Sequence, residues 1–265
     1  MPNKMRQPTD KEIEEAKEYI RKRIAAEISM QSNMESAMME AASEIVGISL
    51  KYNIPLKQFR FSANRNLRWD VDRVIEKLRK QIYIYTQAMS VYGREEEKES
   101  IIAYINSERH GKTLKQRINE YCNRYKFEIE AAIVSGLIAG ISRKELEDNI
   151  RQNMKSPYNN KYFNAAVLAG GAISTRIQSG GISYGVGKSN SSFNSLSALT
   201  RYTIGAAWMW YLGRKAEKRG AKGFYSYRGS SYPCADCQSM NGKYQPISLY
   251  YGQYHQHCKC IFVFI

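Results

Sequence analysis

The 265-residue chain is short of acidic residues where it is richest in basic ones. After residue 150 the acidic side chains are Glu217 and Asp236 alone, against 14 Lys/Arg, a net charge of +12. Residues 1–150 carry 26 Lys/Arg and 23 Asp/Glu, a net of +3. An excess of one sign confined to one half favours a polyanionic neighbour, nucleic acid or an acidic protein surface. Long apolar runs are missing too. The stretch 131–141 is among the longest, and it is too short and too interrupted to span a bilayer. The N-terminus, MPNKMRQPTDKEIEEAK, has no apolar segment behind its basic residues, so it does not read as a secretory signal, and a cytoplasmic start is expected. What the chain has is a hydrophobic fraction of 43%, enough for a core and too much for disorder along its whole length.

The first half reads as helices. Thr9–Glu12 (TDKE) has the form of a capping box, and Ile13, Ala16, Ile20, Ile24 and Ile28 follow near helical period. A second helical stretch runs from Met34 to Leu50, closed by Asn53 and Pro55, and a third from about Leu67 to Met89. The methionines of 30–40 fall at helical spacing and read as core. Thr113–Leu137 is a further helix with Gly140 suited to its C-terminal cap, and Ser142–Glu145 (SRKE) is a second capping box. Residues 156–198 are poor in acid and, from 169, rich in Gly and Ser; they read as a basic arm or linker. Helical pattern resumes over 199–219, and the tail from Phe224 ends in the β-prone run CIFVFI. The expected class is α+β, mainly α: a helical region 1–155, the arm 156–198, and a helix plus tail over 199–265.

Cysteine is as unevenly spread as charge. Cys122 stands alone in a helical stretch and reads as a core residue; Cys234, Cys237, Cys258 and Cys260 crowd the last 32 residues. In a cytoplasmic product such a cluster points to metal before disulfides. Cys234-Ala-Asp-Cys237 is the tight turn that lets two thiolates reach one ion, and His255-Gln-His257-Cys258-Lys-Cys260 offers the rest. Zinc accepts thiolate and imidazole together without a geometric preference of its own. There are six donors for four places: Cys234 and Cys237, then His255 and one or both of Cys258 and Cys260, with His257 pointing opposite to them in an extended segment. Spacing leaves the set open. With four protein ligands the metal would be structural, a staple for a tail with little core of its own, and nothing in residues 1–150 is expected to depend on it.

Enzyme motifs are incomplete. Pro233-Cys234-Ala-Asp-Cys237 matches half of a zinc deaminase signature, but His110 is followed by Gly111 and Lys112, with no Glu to move a proton. Gly111-Lys112-Thr113 resembles the end of a P-loop whose first Gly would fall at Asn106. Cys122 with His110 lacks any sign of an oxyanion site. The chain is therefore not expected to be an enzyme.

The ending C-x-x-C, Gly242-Lys243, then His255-x-x-Cys258-x-Cys260 resembles that of the Mu F-like minor head proteins of tailed bacteriophages, the phage head morphogenesis family. Gly136-Leu137-Ile-Ala-Gly140-Ile-Ser142 and Leu199-Thr-Arg201-Tyr-Thr203 agree with it, and the resemblance covers roughly residues 130–265. The chain departs from the family pattern at Ile204, where an acidic residue is usual, and at Tyr250–Tyr254, where prolines are. The resemblance implies a minor capsid protein in the virion, assembled in the host cytoplasm and associated with the portal and other capsid proteins. It further implies contact with packaged double-stranded DNA, ejection with the genome and no membrane in the mature particle. The cations Arg214, Lys215, Lys218, Arg219 and Lys222, at the end of one helix, suit phosphate contact without sequence preference, or an acidic face of the portal. The tyrosines after Phe224 are expected to pack the tail, with base stacking the other use open to them. The competing readings are a stand-alone zinc-containing nucleic-acid-binding protein and a divergent deaminase-like enzyme.

Overall fold

Capping explains where most of the helices begin. The computed structural model describes residues 6–52, 54–91, 94–109, 111–168, 170, 175, 191–255 and 258–265. Helix α1 spans Asp10–Ser49, and ahead of it the Thr9 amide donates to Glu12 Oε2 at 2.8 Å while the Glu12 amide donates to Thr9 Oγ1 at 3.3 Å. Asn64 Oδ1 accepts from the amides of Asn66 and Leu67 at the start of α2, Arg65–Val91. Helix α3 is Lys98–Asn106. Full capping boxes open α4, Leu114–Ile138, with Thr113 and Gln116, and α5, Arg143–Asn153, with Ser142 and Glu145. Helix α4 ends where Gly140 takes φ +67° and the Ile141 amide reaches back to the Gly136 carbonyl at 3.2 Å, a closure that needs a left-handed residue. Then follow α6, Lys161–Leu168, α7, Ser192–Lys218, and α8, Ala235–Met240. The strands β1 (Gly223–Tyr227), β2 (Tyr244–Pro246) and β3 (Ile261–Phe264) form one antiparallel sheet in the order β2-β1-β3. The chain is mainly helical with a small C-terminal sheet, as expected.

The chain divides into two units, each drawn from separate stretches of sequence, so the linear division at 155 and 198 does not describe it. One unit comprises Ser32–Tyr85 and Glu108–Leu199. Its interior holds Met34, Met38, Ile45, Leu67, Ile75, Ile118, Ile129, Phe163 and Phe193, all at 0–1% exposure, which places the methionines of 34–38 in the core. The Tyr125 hydroxyl donates to the Met38 carbonyl at 2.9 Å, and the buried carboxylate of Glu130 accepts the Phe61 amide at 2.7 Å. Glu128, also buried, accepts from the amide and hydroxyl of Ser192, both at 2.9 Å, and so caps the start of α7 from outside that helix. Burial, against the opposing effects of Ser192 and Arg124, pushes the Glu128 carboxyl up to about 7. Of the arm expected over 156–198, residues 169, 171–174 and 176–190 lie outside those described. At its edges the chain is helical: α6 lies within it, and α7 starts at Ser192 with buried Phe193 and Leu196, because apolar residues there find core partners despite the Ser-rich composition.

The other unit comprises Met1–Gln31, Thr86–Ser107 and Thr200–Ile265. Ile20 of α1, Met209 of α7, Phe224 of β1, and Ile261 and Phe262 of β3 share a buried cluster with Cys237, Cys258 and Cys260. Phe224 meets Phe262, Phe264 and Tyr250 at ring-centroid distances of 5.3–5.8 Å, and the Tyr250 hydroxyl donates to the Met209 carbonyl at 2.8 Å. Tyr19 donates to the Trp208 carbonyl at 2.7 Å. The tail is thus built on the N-terminal segment of α1, and residues 10–31 are not independent of it. The two helical stretches expected at 9–28 and 34–50 are one helix, since Gln31-Ser-Asn33 contains no residue that breaks it. Its buried face also differs from the apolar pattern: Ile28 is 62% exposed, while Arg23 and Glu27 are at 1% and 3%.

Candidate metal centre

Two short backbone devices present the cysteines. Cys234 sits extended at the start of α8, and its Sγ accepts the Cys237 amide at 3.5 Å, which turns Cys237 Sγ toward the same point. Further on, the Cys258 amide donates to the His255 carbonyl at 3.1 Å, and the Cys260 amide donates to Cys258 Sγ at 3.4 Å. Cys258 and Cys260 are thereby delivered to one side, as alternating residues should be.

The donor atoms converge in two groups that share Cys237: Cys234, Cys237 and His255 in one, Cys237, Cys258 and Cys260 in the other, with the atoms of each within 4.8 Å of one another. His255 Nε2 lies 3.2 Å from Cys234 Sγ and 3.1 Å from Cys237 Sγ, and Cys237 Sγ lies 4.0 Å from Cys258 Sγ. All four thiols are free. Thiolates on one tetrahedral zinc stand about 3.8 Å apart, given a Zn–S length of about 2.3 Å, so the spacing fits a metal ion of that kind. The cluster could hold a metal ion. Five of the six donors named from the sequence lie in these groups; the sixth, His257, is outside the described residues. Among the described residues no carboxylate joins either group.

Without a cation, four crowded thiols cannot all ionise. Burial pushes the Cys237 thiol up to about 12. The hydrogen bond between Cys260 and Cys258 raises the first and lowers the second. A bound dication reverses this order by stabilising every thiolate that touches it. A cleft of about 390 Å³, lined by Cys234, Cys237, His255 and Cys260, gives an ion access from solvent.

Residues outside the motif shape this centre. Arg23 of α1 donates from NH2 to the Cys258 carbonyl at 2.6 Å, and its Nε lies 3.3 Å from Glu27 Oε1. Glu27 in turn pairs with Lys259, which stands between the two cysteines, and lies 3.8 Å from Arg201. Gly229 meets the backbone of the same turn: a Cβ there would stand 1.8 Å from the Lys259 carbonyl oxygen, so only glycine permits the approach.

No family model, curated protein or solved structure matches the chain.

The five cations at the end of α7 are all exposed. Arg214 lies 3.7 Å from Glu217, and Lys218 pairs with Glu97. Lys215 and Lys218 also complement the negative end of the helix dipole. Of the tail tyrosines, Tyr225 is buried and Tyr250 and Tyr254 pack and hydrogen-bond within the unit, while Tyr232 and Tyr251 are 77% and 70% exposed. Cys122 is a buried thiol that desolvation raises to about 12, a core residue as its position in α4 suggests. The sequence pattern pointed to all five donors; Arg23, Glu27 and Gly229 were missed. A charged i,i+4 pair and a lone glycine carry no local mark of a partner more than 25 residues away.

Proposed function

We propose that this chain is a minor head protein of a tailed bacteriophage, held at the portal vertex, with a structural zinc in its C-terminal unit. The observation that supports the reading is the gathering of Cys234, Cys237, His255, Cys258 and Cys260 into two donor groups that share Cys237, with Cys237, Cys258 and Cys260 buried and Cys234 and His255 half-buried. These are the residues on which the resemblance to the head morphogenesis family rests. Their donors are enough to fill all four places of a tetrahedral ion, the arrangement of a structural rather than a catalytic zinc. The exposed cations Arg214, Lys215, Lys218, Arg219 and Lys222 would meet the phosphates of packaged DNA without reading its sequence. The protein would assemble in the host cytoplasm, be retained in the virion beside the portal and travel with the genome.

Mass spectrometry of purified particles tests this. The chain should be present at a few copies per particle, with one zinc per copy. Its absence from particles, with tight binding of the free protein to DNA, would favour a stand-alone zinc-containing nucleic-acid-binding protein.

A further inference from the structure

The charges around Glu27 do not balance. One buried carboxylate faces three cations, Arg23 at 1% side-chain exposure, Lys259 at 17% and Arg201 at 32%. An uncompensated buried charge costs several kcal/mol, so a surplus of this kind calls for an anionic neighbour. Two of the three cations reach the turn that carries Cys258 and Cys260. Arg23 holds the Cys258 carbonyl at 2.6 Å, and Lys259 is the residue between the cysteines. A zinc ion with three thiolates and an imidazole carries a net charge of −1, and with four thiolates −2. The surplus of two positive charges is of the size and sign that such a centre requires. Ligands of metal sites depend on outer partners for their orientation, and loss of such a partner weakens metal binding.

We propose that Arg23 and Lys259 are positioning residues of the metal centre: through Glu27 and the Cys258 carbonyl they hold the Cys258–Cys260 turn in its ligating shape, and their charge offsets that of the loaded thiolates. Neither touches the ion. The inference rests on the metal reading of the cysteine cluster, and it ties residues near the N-terminus to a site more than 200 positions later. It also accounts for the two charged residues buried on the apolar face of α1, beside Ile20 and Ile24. Arg23 and Glu27 occupy positions where a packed helix would carry apolar side chains, and Ile28 is displaced to solvent.

The test compares the full-length protein with R23M, R23K and K259M. Zinc retention is measured by competition with a chelator of known affinity, and a cobalt-substituted sample reports thiolate ligation through its charge-transfer absorption. R23M and K259M should release zinc about 10- to 100-fold more readily, with a weaker thiolate-to-cobalt band. R23K keeps the charge and should recover part of the loss. A merely structural role would lower the melting temperature and leave affinity and cobalt spectrum unchanged in the folded protein, and that result overturns the proposal. Should R23M fail to fold, K259M, whose side chain reaches the surface, decides the matter by the same readouts. If the unaltered protein takes up neither zinc nor cobalt, the metal reading itself is wrong and this inference falls with it; unaltered binding in both variants defeats the inference alone.

Discussion

Cys237 is the thiol common to both donor groups, so Cys237→Ser should be the most damaging single ligand change. Losing it leaves Cys234 with His255 on one side and Cys258 with Cys260 on the other, and no three donors remain together. Structural zinc in small folds contributes about 10–16 kcal/mol, which divides to about 2.5–4 kcal/mol for each of four ligands. That corresponds to about a 10²- to 10³-fold loss of affinity. Cys260→Ser differs, because Cys234, Cys237 and His255 stay grouped and Cys258 can supply the fourth donor; a loss of about tenfold or less is expected. Chelator competition on the two purified variants gives the ratio directly. Hydrogen exchange adds a second reading. Ile20 shares its buried cluster with Cys237, Cys258 and Cys260, so loss of zinc should release protection over residues 10–31 as well as the tail. Equal zinc affinity in the two variants, or full protection of residues 10–31 in the zinc-free protein, would refute the reasoning.

Three further outcomes follow from the geometry. Glu128 keeps a proton in the folded chain up to about pH 7, whereas an exposed carboxyl gives it up near 4.5; its contribution is therefore present below pH 4.5 and lost as pH rises through 7. The window is worth about 3 kcal/mol at about 1.4 kcal/mol per pH unit, and Glu128→Gln, which keeps an acceptor for Ser192, should flatten it in urea melts at pH 5 to 8; parallel curves would contradict it. Gly229→Ala must push the Lys259 carbonyl away and should reduce zinc retention as well as stability by more than 1 kcal/mol, measured by chelator release and thermal melting. Full-length protein should bind two unrelated DNA duplexes alike, and replacing Lys215, Arg219 and Lys222 by Gln should lower the slope of log affinity against log salt by about 3; an unchanged slope would assign these cations to another partner.

Local chemistry was readable in the sequence, and long-range chemistry was not. The boxes at Thr9–Glu12 and Ser142–Glu145 formed as read, because both partners lie within one turn. The box of Thr113 and Gln116 went unnoticed, since Gln in place of Glu is a fainter mark of the same device. The cysteine–histidine donors declared themselves by spacing. Periodicity in α1 held at Ile20, Ala16 and Ile24, which pack on the buried cluster, and failed at Ile28, which is exposed while Arg23 and Glu27 are buried. A salt-bridged pair at i,i+4 reads as a solvated surface until its partners, Lys259 and the Cys258 carbonyl, are known. Composition misled at the edges of the Gly/Ser-rich stretch: Phe193 and Leu196 are apolar enough to bury, and Glu128 supplies the cap that Ser192 needs.

The unit that carries the cysteines is closed by stretches made far apart in translation. Residues 10–31 leave the ribosome long before their partners Met209, Phe224, Cys258 and Phe262, which come after residue 200. At about 5–20 residues per second, residues 10–31 wait from about 10 to 40 s for the residues that cover Ile20 and accept the hydrogen bond of Arg23. Until then their buried face is open, and a chain cut short before Cys258 never covers it. A metal ion held by these cysteines would thereby act as a late checkpoint on synthesis: only a chain translated through Cys260 can bury the face of residues 10–31.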